Sequence, residues 1–187
     1  MTLDTWLAEA EHLLAATRAL ALDAAMDRAV AATAAALRAD LPLLVCGNGG
    51  SAADAEHITG ELVARFLKER RGLPVISLVS NAAMLTAWSN DYGFETVFSR
   101  QVEAHGQRGG VLLGLSTSGN SGNVVLAMEA ARGLGMVTIG MTGEGGGRMA
   151  AVSDHLFAVP STFTPAIQQV HLCLYHHFCA AVEQAVL

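Results

Sequence analysis

The chain is short of charge, of aromatic rings and of cysteine, and each shortage narrows what it can be. Its 11 basic residues stand against 17 acids, for a net charge of −6. Proteins that bind nucleic acid neutralise phosphates with clustered Lys and Arg, so this balance argues against such a partner. The one dense basic piece, "RFLKERRG" at 65–72, is interrupted by Glu69 and reads as a solvated helix end. No apolar run reaches the ~18 residues of a membrane span. The opening "MTLDTWLAEAEHLL" has early acids and no basic leader, so no secretory signal is expected. Cys46, Cys173 and Cys179 form no CxxC or other zinc-type spacing. Their neighbours are mostly apolar, and all three read as small buried residues. An odd thiol count without a leader points to a reducing cytoplasm. Tandem repeats and low-complexity linkers are absent too, so 1–187 is expected to form one domain.

What the chain has in quantity is small and aliphatic: 52% of it is hydrophobic while only 5% is aromatic. The first forty residues are rich in Ala and Leu, with Leu3, Leu7, Leu13, Leu14, Leu20 and Leu22 at broadly helical spacing. Two helices broken near "LALDAA" are the simplest reading. After Pro42 the pattern changes to short apolar runs: 43–47, 75–79, 110–116, 136–142 and 154–159. Stretches long enough for helices lie at 51–69, 81–90, 95–106, 121–134 and 145–152, and a last one at 165–186 starts on Pro165, which suits a first turn. Strands alternating with helices imply an α/β fold, a mostly parallel sheet covered on both faces.

In such sheets ligands collect beyond the carboxyl ends of the strands, and two loops there carry the right chemistry. Gly47-Asn48-Gly49-Gly50-Ser51 follows the first strand. Its glycines let backbone N–H groups approach an anion, the next helix offers its positive end, and Ser51 is a candidate N-cap. The competing reading is a plain tight turn. The second loop, "STSGNSGN", sets Ser116, Thr117, Ser118 and Ser121 before a helix. Without a Lys or a GK[ST] ending it is no nucleotide P-loop; it suits a phosphate monoester without Mg²⁺, against the alternative of a solvated serine loop. His57 and Glu61, at i and i+4, share a helix face. That pair fits zinc ligation or acid–base work, and equally an ordinary surface contact. The last helix adds Gln168, His171, His176 and His177 in a largely apolar run.

Together "CGNGGSAADAEH", "TAWSNDYGFETVFSRQVEA", "LLGLSTSGNSGNV", "MTGEGGGRMA" and "IQQVHL" resemble the sugar-isomerase (SIS) domain, and within it the sedoheptulose 7-phosphate (phosphoheptose) isomerases. The resemblance spans nearly the whole chain. It implies a three-layer sandwich, a five-stranded parallel sheet flanked by helices, with residues 1–40 as helices for packing and oligomerisation, 41–187 as the α/β core and a long C-terminal helix. A homotetramer with active sites at subunit interfaces is implied as well. Position by position, Asn48, Gly49, Gly50 and Ser51 resemble the first substrate loop, and Ser116, Thr117, Ser118 and Ser121 the phosphate clamp. Asn90 and Asp91 resemble a substrate-contacting pair, and Arg65, one turn past Glu61, a position near the sugar. His57, Glu61, Gln168 and His176 match the ligands of one Zn²⁺ per subunit in metal-containing members; Glu61 and His176 also match the acid–base pair, and Glu61 and Gln168 substrate contacts. Gln168 and His176 stand eight residues, ~12 Å, apart on an ideal helix, an awkward span for one metal. Pro165 replaces an Asp found in some members, while a Thr-Pro version like Thr164-Pro165 also resembles part of the family. The activity implied is conversion of sedoheptulose 7-phosphate to D-glycero-D-manno-heptose 7-phosphate for nucleotide-activated heptose synthesis. The competing class is a non-catalytic SIS-fold binder of the bacterial initiator DnaA, which lacks the acid–base pair; a lyase or etherase of amino-sugar phosphates is a third.

Overall fold

The computed structural model describes every residue from Met1 to Leu187. Two helices, α1 (Leu3–Arg18) and α2 (Asp23–Arg38), precede an alternating α/β region. Its strands are β1 (Leu43–Cys46), β2 (Val75–Ser77), β3 (Val111–Ser116), β4 (Val137–Thr142) and β5 (His155–Ala158). Its helices are α3 (Gly50–Val63), α4 (Ala82–Tyr92), α5 (Val97–His105), α6 (Gly122–Leu134) and α7 (Thr164–Val186). All strand pairs are parallel and the order is β2-β1-β3-β4-β5. The five expected strands are therefore all present. No helix is long and apolar enough to cross a membrane.

The continuous apolarity of the strands follows from burial on both faces. Successive side chains alternate: Leu43, Val45, Leu113 and Leu115 meet α2, α3 and α7 through Leu37, Ile58, Leu62, Tyr175 and Phe178. Leu44, Cys46 and Leu112 face the other way, onto Phe98, Val102, Val124 and Met128 of α5 and α6. Helix α1 lies outermost, with Leu13 joined to Ile167 and Val170 of α7.

Helix α3 ends at Val63, not at Glu69 as its sequence suggests. The reason is non-local. The carboxylate of Glu183 accepts the backbone N–H groups of Phe66, Leu67 and Lys68, which a continuing helix would use internally. Hydrogen bonds to a charged group contribute about 1.5–3 kcal/mol each, against tenths for the helix propensity of these residues. The basic piece is likewise no simple solvated end, because the Arg70 side chain is only 3% exposed and pairs with Glu183. The stretch 145–152 forms a 3-10 turn from Gly147 to Val152 rather than an α-helix. Cys46 and Cys179 are buried as expected, but Cys173 is exposed.

Candidate active site

The strand order reverses direction between β1 and β3, so the loops after these two strands open a crevice at the carboxyl edge of the sheet. Both candidate loops stand there. Gly49, at φ +58, is the N-cap of α3, so Ser51 is not the cap; it sits buried in the first turn. Asn48 and Asn123 exchange two carboxamide hydrogen bonds, 2.9 and 3.0 Å, and lock the first loop to the start of α6. In the second loop Ser116 Oγ lies 2.8 Å from Ser121 Oγ and 3.4 Å from Ser118 Oγ. Ser121 is the N-cap of α6, yet its hydroxyl makes no capping bond. Gly119 takes φ +65 and lies so close to the Gly146 carbonyl that a Cβ would overlap it. Thr117 Oγ1 meets Thr164 Oγ1 at 3.2 Å. Thr117, Ser118, Glu144, Ser161, Thr162 and Thr164 line a cleft of about 240 Å³ that has no hydrophobic residue in its wall.

The second group of side chains comes from α3 and α7, which run side by side in the same direction. Gln168 lies against Gly50, where a Cβ would come within 2.5 Å of its Nε2. Farther along, His57, Glu61 and His176 converge, one ligand atom from each within 4.8 Å of the others. His57 Nε2 is 3.0 Å from Glu61 Oε1 and 3.5 Å from His176 Nε2.

The buried Tyr175 explains how His57 is aimed. Its hydroxyl lies 3.2 Å from Asp54 Oδ1 and 2.9 Å from His57 Nδ1. With one proton to give, the hydroxyl donates to Asp54 and accepts from His57 Nδ1–H, an assignment made from the network. A neutral His57 then turns the lone pair of Nε2 toward the Glu61 carboxylate. Two acceptors at 3.0 Å need a proton or a cation between them, so this donor set fits a metal ion, and two imidazoles with one carboxylate suit zinc. Burial pushes the Asp54 carboxyl up, against the opposing pulls of Tyr175 and His57.

Other expected residues lie elsewhere. Arg65 is past the end of α3, with its side chain 60% exposed and 3.7 Å from Glu69. Asn90 and Asp91 are exposed on the last turn of α4 and bond to each other at 2.9 Å. His171 is a buried structural residue whose Nε2–H donates to the Thr142 carbonyl at 3.1 Å. His177 faces a groove between α7 and the first two helices.

A family model described as the SIS domain matches residues 5–143. A phosphoheptose isomerase from Rhodospirillum rubrum is 54% identical over 162 residues, 87% of this chain and 86% of that one. The chain belongs to the phosphoheptose isomerase family. Among solved structures, a phosphoheptose isomerase from Francisella tularensis superposes with a TM-score of 0.93 at 35% identity, covering 98% of this chain and 100% of that one. One from Neisseria gonorrhoeae gives 0.91 at 38% identity, covering 97% and 96%.

Membership of the phosphoheptose isomerase family makes the chain an enzyme, which sets aside the non-catalytic reading. It does not single out Asn123, Tyr175, Asp54 or the Ser161–Thr164 hydroxyls, which the sequence reading missed. For the last of these a signal existed, since "PSTFTP" directly follows a strand as the other two loops do. Asn123, Tyr175 and Asp54 carry none; each gains meaning only from a partner far away in the chain.

Proposed function

We propose that the chain interconverts D-sedoheptulose 7-phosphate and D-glycero-D-manno-heptose 7-phosphate, for nucleotide-activated heptose synthesis in the cytoplasm. The observation that carries this reading is the convergence of His57, Glu61 and His176 alongside a hydroxyl-lined anion loop.

In this reading Ser116, Thr117, Ser118 and Ser121 hold the phosphate, while Asn48, Gly49, Gly50 and Ser51 line the adjoining wall with backbone N–H groups. The anchored phosphate orients the reacting carbons at the far end. Moving a proton between C1 and C2 through an enediol requires a base, an acid at the oxygens and stabilisation of the enediolate. Glu61 takes the C1 proton and His176 relays protons at the oxygens, two roles that can be exchanged between them. His57, Glu61 and His176, with Gln168 from the phosphate side, would hold one zinc ion, whose chemistry when bound is Lewis-acid polarisation of the carbonyl. A carboxylate on a metal is a weaker base, so Glu61 alternates between the two uses.

The whole chain, 1–187, acts as one SIS domain, assembled as a homotetramer through the N-terminal helices with active sites at subunit interfaces. Tyr92 at 68% and Phe94 at 55% exposure, with the exposed Leu3 and Leu7 of α1, are the kind of apolar surface that such contacts cover. Arg65, Asn90 and Asp91 then contact sugar in the assembled enzyme. Incubating purified protein with sedoheptulose 7-phosphate, with and without a chelator, should yield the aldose phosphate; no product under either condition rules the activity out.

A further inference from the structure

The segment following Glu61 is held by a buried pair of opposite charges that the chemistry above does not use. Glu183, near the end of α7, is fully buried, and its Oε1 lies 3.2 Å from Arg70 Nη2. Oε1 also accepts from the N–H of Phe66 at 2.9 Å, and Oε2 from those of Leu67 and Lys68 at 2.6 and 2.8 Å. Burial alone would push the Glu183 carboxyl up; the three N–H groups and the guanidinium outweigh it and hold it below the usual carboxylate range. Arg70 donates in turn to the carbonyl of Glu61 at 2.9 Å and to those of Ala64 and Arg71 at 3.2 and 3.0 Å. One carboxylate thus takes the amides of the chain leaving α3, while one guanidinium takes the Glu61 and Ala64 carbonyls at the helix end together with that of Arg71 in the following segment. The Phe66 ring, whose amide is fixed in this way, stacks on the His176 imidazole with centroids 5.4 Å apart and planes 26° apart.

A buried ion pair is a poor source of stability, since apolar residues of the same volume often do as well or better. What this one supplies is direction. Had α3 continued, Phe66 would stand five residues past Glu61, ~140° round the helix axis, and off the face that meets α7. We infer that Arg70 and Glu183 form a positioning clamp for the acid–base pair, fixing the main chain at Glu61 and, through Phe66, the ring plane of His176. The inference rests on the reading of Glu61 and His176 as acid and base.

The test uses Glu183→Gln, the double variant Arg70→Met/Glu183→Met and Phe66→Leu in the full-length enzyme. The double variant removes both charges at similar volume, so it keeps the question open to measurement if Glu183→Gln fails to fold. Turnover is expected to fall about 10- to 100-fold with KM held within about twofold. In the proton NMR spectrum the His176 Cε1–H signal, assigned by its loss in His176→Gln, should move as it does in Phe66→Leu, because the ring current of Phe66 is withdrawn. A folded double variant in which either the turnover or that signal stays at its wild-type value overturns the clamp. Glu61→Gln is measured alongside: full turnover there removes the acid–base reading itself, and the clamp with it, whereas an inactive Glu61→Gln beside an unaffected double variant defeats the clamp alone.

Discussion

The two ends of the site are built in opposite ways. At the proposed phosphate end the groups are neighbours in sequence: the Ser118 and Ser121 hydroxyls both meet that of Ser116 within six residues, around Gly119, whose positive φ favours glycine. At the proposed acid–base end His57 and His176 are 119 residues apart and meet only because α3 and α7 pack in register. A phosphate has one shape and one charge to satisfy, so a preformed loop suffices. Proton transfer needs side chains aimed from two helices, and those need supports of their own, here Tyr175 with Asp54 on one side and Phe66 with the Arg70–Glu183 pair on the other. Damage to the loop should therefore be read in KM, and damage to the helix pair in kcat.

The largest effect is expected at the second end. Glu61→Gln and His176→Gln should each lower kcat by ~10²-fold or more while the fold, read by circular dichroism and Tm, is kept. A variant turning over at near wild-type rate removes that residue from the mechanism. At the first end, Ser116→Ala takes away the hydroxyl that organises Ser118 and Ser121. Loss of a hydrogen bond to a charged ligand, about 1.5–3 kcal/mol, corresponds to a KM raised about 10- to 100-fold, with kcat little changed. If kcat falls instead and KM holds, the division of labour between the ends is wrong.

The same contrast explains what the sequence disclosed. Five strands, the crevice loops and the hydroxyl cluster are local patterns, and each is present. The pairing of His57 with Glu61 was legible because i and i+4 meet on any helix. The early end of α3 was not, since residues 64–70 are good helix formers and only Glu183, more than a hundred residues later, diverts them. Tyr175 stands in an apolar run, and its hydroxyl becomes informative only beside Asp54 and His57. Exposure of Cys173 escaped for the same reason, because apolar neighbours in sequence do not say which side of α7 faces the core.

A smaller effect should follow from Tyr175→Phe, which deletes one oxygen and leaves the ring in place. His57 Nδ1 then loses the partner that fixes its proton. Zinc affinity, measured by competition with a chromophoric chelator, should weaken about 10-fold, at the low end for groups that orient a metal ligand. An unchanged affinity would mean that the Asp54–Tyr175–His57 chain plays no part in presenting Nε2.

The smallest effect concerns the joint between the two ends. His171 lies on α7 between Gln168 and His176 and ties that helix to the end of β4 through the Thr142 carbonyl. Burial, only partly opposed by this hydrogen bond, pushes its pKa down to about 4 from an ordinary 6.5. Between these values the unfolded chain binds a proton that the folded chain refuses. The stability that depends on neutral His171 is therefore complete above pH 6.5 and is lost progressively as pH falls toward 4. At pH 5.5 the loss from this group is about 1 kcal/mol, or roughly 2–4 °C in Tm for a chain of this size. His171→Gln keeps an N–H donor and does not titrate, so its Tm should be flatter than wild type between pH 7 and 5.5, at a cost at neutral pH set by how well Gln reaches Thr142. Parallel Tm profiles for the two proteins across that range would show that His171 already admits its proton in the folded state, and that the joint is looser than the packing around it indicates.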